Sequence, residues 1–363
     1  MGVIVSKIKG EQQVGYVDSV MDAVGNTPLI KLQRSTPKGV TVLCKMEAQN
    51  PGGSVKDRIA KRMIEGAEER GLISPGKTTI IEATSGNTGI GVAMAAAAKG
   101  YKAIIVMPQL PPMYERYIIC RKFGAEVHLT AGAKGVPGML TYLRDMLAKH
   151  PHMWCPSQFE NEDNPAAHYE TTGPEIWKQC GGKIDYFVCG VGTGGTCNGV
   201  GRYLKEKNPA LKLIAVEPTE SRVLVGKPHG KHVVLGIGAG MQVKFVENLS
   251  PGQEFAEGRR GIIDEFCHAT TDESCEMANT LATREGLLVG PSSGCAAKVA
   301  ADIAARPEAQ GKTIVVLLPS SGIRYVQHPV LWTAVKDEAK KALPTPPDMS
   351  PEPLLRWESD RHN

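Results

Sequence analysis

A layered α/β protein with mostly parallel sheets is predicted by three features of this 363-residue sequence. A short β-branched run, a Gly/Ser/Thr turn and an Ala-rich helical stretch recur along the chain, the pattern of strands joined by right-handed helical crossovers. Forty glycines stand beside only 5% aromatic residues, so Ala, Val, Ile and Leu must fill the core. Hydrophobic residues at 42% and charged residues at 22% exclude disorder as the main state.

Strands are expected at 40–46, 78–83, 103–107, 126–130, 186–191, 213–217, 287–289 and 313–318. Helices are expected at 55–70, 90–99, 115–123, 197–207 and 295–306. In the first helix Ile59, Met63, Ile64 and Ala67 make one apolar face. The second stops at Gly100, a residue suited to the left-handed C-terminal cap. The segment 154–185 is the expected domain boundary, and the prolines after Leu343 mark an extended tail.

Composition narrows the function classes. Forty-two basic and 38 acidic residues leave a net charge of +4, with no basic stripe for nucleic acid. The longest apolar stretch, 90–98, falls short of the ~18 residues of a membrane span, and no secretory signal opens the chain. Residues 1–7 fit the myristoylation pattern M-G-x-x-x-[ST] at Gly2, but one acyl chain anchors only weakly. Nine cysteines, an odd number and without a C-x-x-C, signal neither a disulfide framework nor a metal site. They read as reduced core thiols in a cytoplasmic protein.

Ligands in open α/β sheets bind beyond the carboxyl ends of strands, and four turns here carry small polar residues. Ser54 and Asp57 have capping-box spacing, which puts Lys56 in the first turn of a helix. The helix dipole and any burial there favour the neutral amine, the form a Schiff base requires. Ser85, Gly86, Asn87, Thr88 and Gly89 form a second turn whose helix-opening amides suit a carboxylate or phosphate. Gly190, Gly192 and Gly195 match G-x-G-x-x-G, and Glu217 ends the next strand 22 positions later. That is the text of a dinucleotide site. The hydroxyls of Thr193 and Thr196 suit a phosphate monoester instead, and on this turn alone both readings stay open. Ser292, in the fourth turn, could partner a pyridine nitrogen or cap a helix. Pyridoxal 5'-phosphate would use all four turns, whereas nicotinamide chemistry leaves Lys56 idle.

The segments NPGGSVKDR (50–58), EATSGNTG (82–89), TTGPEIW (171–177) and GVGTGGT (190–196) occur in order. Together they resemble the cysteine synthase (O-acetylserine sulfhydrylase) family of fold-type-II pyridoxal-phosphate enzymes, with β-cyanoalanine synthase and cystathionine β-synthase as relatives. The resemblance implies two three-layer α/β domains, tryptophan-synthase-β-like, with the active site in the cleft between them. Residues 20–160 would form the smaller domain carrying Lys56 and the 85–88 loop, its early strands crossing to the larger one. Residues 161–343 would form the larger domain, and 344–363 the tail. By position, Lys56 would hold the cofactor and act as base, and Asn87 would bond its ring. Gly192, Thr193, Gly194, Gly195 and Thr196 would cradle its phosphate, and Ser292 would face the pyridine nitrogen. Thr84, Ser85, Thr88, Gln158 and Gly236 would meet the substrate. The implied reaction is β-replacement on O-acetylserine through an aminoacrylate, with sulfide giving L-cysteine. A homodimer and the C-terminal peptide of serine acetyltransferase are the implied partners.

Three segments depart from the family pattern: Pro112 to Tyr117, the longer stretch 241–263, and Ser321 to His328. None is expected to touch Lys56 or the phosphate loop, but each could reshape the entrance. A β-cyanoalanine synthase, another β-substituted alanine synthase, or a catalytically weak partner-binding homologue are therefore the alternatives, with a nicotinamide oxidoreductase behind them.

Overall fold

The computed structural model describes residues 15–247 and 261–343. Gly2, most of the long segment after Met241, and the proline-rich tail lie outside the described residues. In chain order the strands are β1 (Leu29–Lys31), β2 (Thr41–Met46), β3 (Thr79–Ala83), β4 (Lys102–Pro108), β5 (Glu126–Thr130), β6 (Met153–Trp154), β7 (Tyr186–Gly190), β8 (Lys212–Pro218), β9 (Glu265–Ala269) and β10 (Thr313–Leu318). The helices are α1 (Lys56–Glu69), α2 (Asn87–Lys99), α3 (Tyr114–Lys122), α4 (Gly135–Lys149), α5 (Asp163–Ala167), α6 (Gly173–Gln179), α7 (Gly195–Lys207), α8 (Lys244–Glu247), α9 (Thr271–Thr280), α10 (Pro291–Ala304) and α11 (Thr333–Ala342).

Two sheets result. The larger has the order β1-β2-β10-β7-β8-β9 and the smaller β5-β4-β3-β6. Every pairing is parallel except β1 with β2. Helices cover both faces of such sheets, which is why β7 and β10 read as continuous apolar runs, with Phe187, Val188, Cys189 and residues 314–316 fully buried. The first two strands cross to the larger sheet, where β2 lies in register with β10 from Thr41↔Thr313 to Met46↔Leu318. Bridges from Ser54 to Ser320 and from Val289 to Ser321 then bring the exits of β2 and β10 level with the start of α10.

Helix α2 is apolar on nearly every side, as a helix buried between a sheet and its neighbours must be. It lies tight against α1 at Gly91, where a β-carbon would stand 3.0 Å from the Lys56 carbonyl oxygen. Glycine is the residue that permits this approach, which sets the start of α2 beside Lys56.

The same first turn of α1 is held by a buried ionic cluster. Arg58 donates from Nε to Glu47 Oε2 at 2.7 Å and from Nη1 and Nη2 to the two Glu175 oxygens, each at 2.7 Å. Lys45 Nζ adds a 2.7 Å contact to Glu175 Oε2, and Thr27 donates to Glu47 at 2.6 Å. Burial opposes ionisation of Glu175, yet Arg58 and then Lys45 hold its carboxyl down to about 2. Two cations facing two carboxylates make the cluster neutral, the condition under which buried charges persist.

Several sequence expectations change. Ser54 and Asp57 form no capping box: Val55 is the cap residue, with no side-chain bond, while Ser54 Oγ accepts from the Lys56 amide at 3.3 Å. Ser54 is already engaged in its bridge to Ser320, and this tertiary pairing overrides the local signal. Residues 287–289 make only the single bridge at Val289. The sixth strand of the larger sheet is instead β9, an edge strand whose half-buried Glu-Phe-Cys-His-Ala pattern carries little β-branched signal. Helix α4 escapes notice because Gly135, Pro137 and Gly138 occupy its first turn.

Replacing Arg58 with Met leaves the fully buried Glu47 without its main counter-charge. The expected loss is about 3–5 kcal/mol, read from the urea unfolding midpoint.

Candidate functional site

A cavity of about 280 Å³ opens at the carboxyl ends of strands from both sheets. Every residue that the family resemblance assigns to cofactor or substrate lines it except Gly195. Lys56 and Arg116 are charged members of its wall, and no carboxylate joins them among the described residues. The cavity is therefore built for anions.

Lys56 projects from the first turn of α1, where the helix dipole opposes a positive charge. Burial pushes its amine down to about 8. No hydrogen bond or ion pair of the amine is found among the described residues, in contrast to Lys45 with its three acceptors.

Asn87 and Thr88 form the first turn of α2, which begins three residues earlier than the sequence pattern suggests. Thr84 Oγ1 accepts from the Gly86 amide at 3.2 Å, shaping the turn after β3. Thr88 Oγ1 donates to Gln158 Oε1 at 2.6 Å, which brings Gln158 into the site across 70 residues of chain. Glu82, buried in β3, accepts from the Ser157 amide at 2.9 Å and fixes the loop that carries Gln158. Desolvation raises the Glu82 carboxyl to about 7. Asn87 Oδ1 accepts from Arg324 Nη1 at 2.7 Å.

The third turn runs into α7, with Gly194 as its cap residue in the left-handed region at φ 88°. A β-carbon at Gly192 would lie 2.5 Å from the Gly236 carbonyl oxygen, so glycine alone lets these two loops meet. Asn164 Nδ2 donates to Thr193 Oγ1 at 3.0 Å and to the Gln158 carbonyl at 2.6 Å. Gly195 is packed under that Asn164 side chain, which is why it stands behind the wall. Thr196 Oγ1 contacts His168 Nε2 at 3.2 Å. Ser292, buried at the second position of α10, lies across from Gly236, where a β-carbon would be 3.6 Å from its hydroxyl. Gly290, not Ser292, caps that helix.

Glu217 takes neither role suggested by its spacing. It is buried outside the cavity wall, accepts from the Leu224 amide at 2.9 Å, and desolvation raises it to about 7. The departing segments do reach the site. Met113, Arg116 and Tyr325 line the cavity, Arg116 lies 5.1 Å over the Tyr325 ring, and Arg324 holds Asn87. Sequence reasoning assigned no role to Asn164, His168, Arg116 and Arg324, each of which meets the site through a contact with a distant segment: Thr193, Thr196, Tyr325 and Asn87 respectively. The one available signal was the polar pair Asn164 and His168, four apart just before the TTGPEIW run.

A parallel α/β fold with a half-buried, unpartnered lysine sharing its cavity with a glycine-threonine anion loop defines a class of enzymes that bind a phosphorylated aldehyde. Comparison with known proteins agrees: residues 20–320 match the pyridoxal-phosphate dependent enzyme family, and the chain belongs to it. It is 45% identical to cysteine synthase 3 of Caenorhabditis elegans over 306 residues, 84% of this chain and 87% of the relative. It is 44% identical to a cysteine synthase of Staphylococcus aureus over 316 residues, 86% and 97% of the two chains. The crystal structure of cysteine synthase from Entamoeba histolytica superposes with a TM-score of 0.80 at 37% identity, covering 91% of this chain and 94% of that one. The residues present fit pyridoxal phosphate, with a free amine, a close-packed glycine cradle and a cationic wall, and the dinucleotide reading falls away.

Because Lys56 titrates near 8, its neutral fraction should fall roughly tenfold for each pH unit below that value. Competitive acetylation of the apoprotein, followed by peptide mass analysis, should show Lys56 reactivity rising up to pH 8 and level above it. Exposed lysines should still be gaining reactivity there.

Proposed function

We propose that this protein is a cysteine synthase, which replaces the β-acetoxy group of O-acetylserine with sulfide to form L-cysteine. The observation that carries this reading is the Lys56 amine, half-buried and without a hydrogen-bond or ion-pair partner among the described residues, in a cavity where the turns after β3 and β7 meet. Similarity to cysteine synthases over more than four-fifths of the chain supports the choice of donor and acceptor.

Bound in this cavity, pyridoxal phosphate supplies the electron sink that permits loss of the α-proton and of the β-acetate. Gly192, Thr193, Gly194 and Thr196 hold its phosphate, with Gly195 setting the loop against Asn164. Asn87, fixed by Arg324, bonds the ring, and Lys56 anchors the aldehyde carbon. Ser292 meets the pyridine nitrogen as a neutral hydroxyl, which does not force a proton onto the ring and so favours β-elimination over transamination. Thr84, Ser85, Thr88 and Gln158 bind the substrate carboxylate, while Gly236 leaves room on the opposite side. The neutral form of Lys56 Nζ, made more accessible by the burial that lowers its pKa to about 8, takes the α-proton and later returns it.

Residues 20–160 and 161–343 act as two domains, with β1 and β2 lodged in the larger one. Closure of the smaller on the bound carboxylate excludes water from the reacting carbon. The protein works as a cytoplasmic homodimer, and the same cleft can admit the C-terminal peptide of serine acetyltransferase. Among the described residues no helix is long and apolar enough to cross a membrane.

Purified enzyme should consume O-acetylserine and sulfide with parallel-line, ping-pong kinetics, and Lys56→Ala should abolish turnover. Sustained cysteine formation by that variant would overturn the assignment. Thr88→Val should raise the KM for O-acetylserine on the order of tenfold, the worth of one hydrogen bond, with retention of the cofactor through dialysis unchanged.

A further inference from the structure

We infer that His168 is a positioning residue of the phosphate cradle, turning the Thr196 hydroxyl so that its proton points into the cavity. His168 sits in a π-helical turn (His168–Thr172) and is fully enclosed, outside the cavity wall. Its ring spans two hydroxyls. Nε2 contacts Thr196 Oγ1 at 3.2 Å and Nδ1 contacts Thr172 Oγ1 at 2.9 Å.

A neutral imidazole has one donor and one acceptor nitrogen, so this chain of three groups has two possible directions. If Nδ1 carried the proton, Nε2 would accept a hydrogen bond from the Thr196 hydroxyl and leave only oxygen lone pairs facing an anion. If Nε2 carries it, the ring donates to Thr196, the Thr196 proton is freed for a phosphate oxygen, and Thr172 donates to Nδ1. Only the second direction suits a phosphate ligand. Burial, with help from the nearby Arg58, drives the imidazole pKa down to about 3. The ring therefore stays neutral and the tautomer is what decides. The turn is itself braced, since Thr171 donates to the Ala167 carbonyl at 2.5 Å and accepts from Arg58 Nη1 at 3.1 Å.

The inference rests on Thr196 holding the cofactor phosphate. Apoenzyme of wild type, His168→Leu and His168→Gln would be titrated with pyridoxal phosphate and with pyridoxal, which lacks the phosphate. His168→Leu should weaken pyridoxal phosphate about tenfold and leave pyridoxal unchanged. His168→Gln, with an amide donor near the place of Nε2, should recover most of the loss. In wild-type holoenzyme, nitrogen-15 NMR should show a protonated Nε2 and a bare Nδ1, a result that needs no variant to fold. Equal losses for both aldehydes, no loss for either, or a protonated Nδ1 would overturn the inference. Wild-type apoenzyme that binds neither aldehyde would overturn the cofactor reading, and this inference with it.

Discussion

The position of the reactive amine depends on Arg58. Two residues beyond Lys56, its guanidinium lies between Glu47 at the exit of β2 and Glu175 on α6. Three elements, one of them 117 residues further along the chain, are thereby held at one point, and helix α1 cannot rotate without stranding a buried carboxylate. Such a cluster contributes little net stability, because desolvation offsets most of the attraction. Its effect is geometric, since the planar fork of Arg58 engages both carboxylates and allows few alternative placements. Lys56 inherits that rigidity through a single helical turn.

A second chain of contacts is made of neutral groups. Thr88 reaches Gln158, whose carbonyl meets Asn164, and Asn164 reaches Thr193. This path joins the turn after β3 to the turn after β7, the two walls that face each other across the cavity. Neutral hydrogen bonds of this kind are worth about 1 kcal/mol each, so they can be exchanged for ligand contacts at modest cost. The ionic cluster holds one side of the site still, while the neutral chain leaves the facing loops able to adjust.

The chemistry was legible where the motif residues act through their own type. Lys56 at a helix start, the glycines and threonines of the third turn, and Ser292 were all readable from spacing and all line the cavity or lie directly behind it. Expectations failed where a residue's partner came from elsewhere. Ser54 gave up its helix cap to pair with Ser320, and Glu217 turned from a strand-end charge into a buried acceptor for the Leu224 amide. Asn164 and His168 show only their four-residue spacing and Arg324 not even that, because each becomes meaningful only beside Thr193, Thr196 and Asn87 respectively.

The alternation of strands and helices, the buried parallel runs and the set of functional groups follow from the sequence by itself, since periodicity and residue type are local properties. The tertiary structure decided which of those groups meet and in what state. Two sheets folded from interleaved segments remove water from Lys56 and bring its amine near neutrality. They also enclose His168 until it cannot charge, and they crowd Gly192 against Gly236 until only glycine fits. Desolvation and close approach are properties of the assembled chain, because each depends on what every other segment has placed nearby.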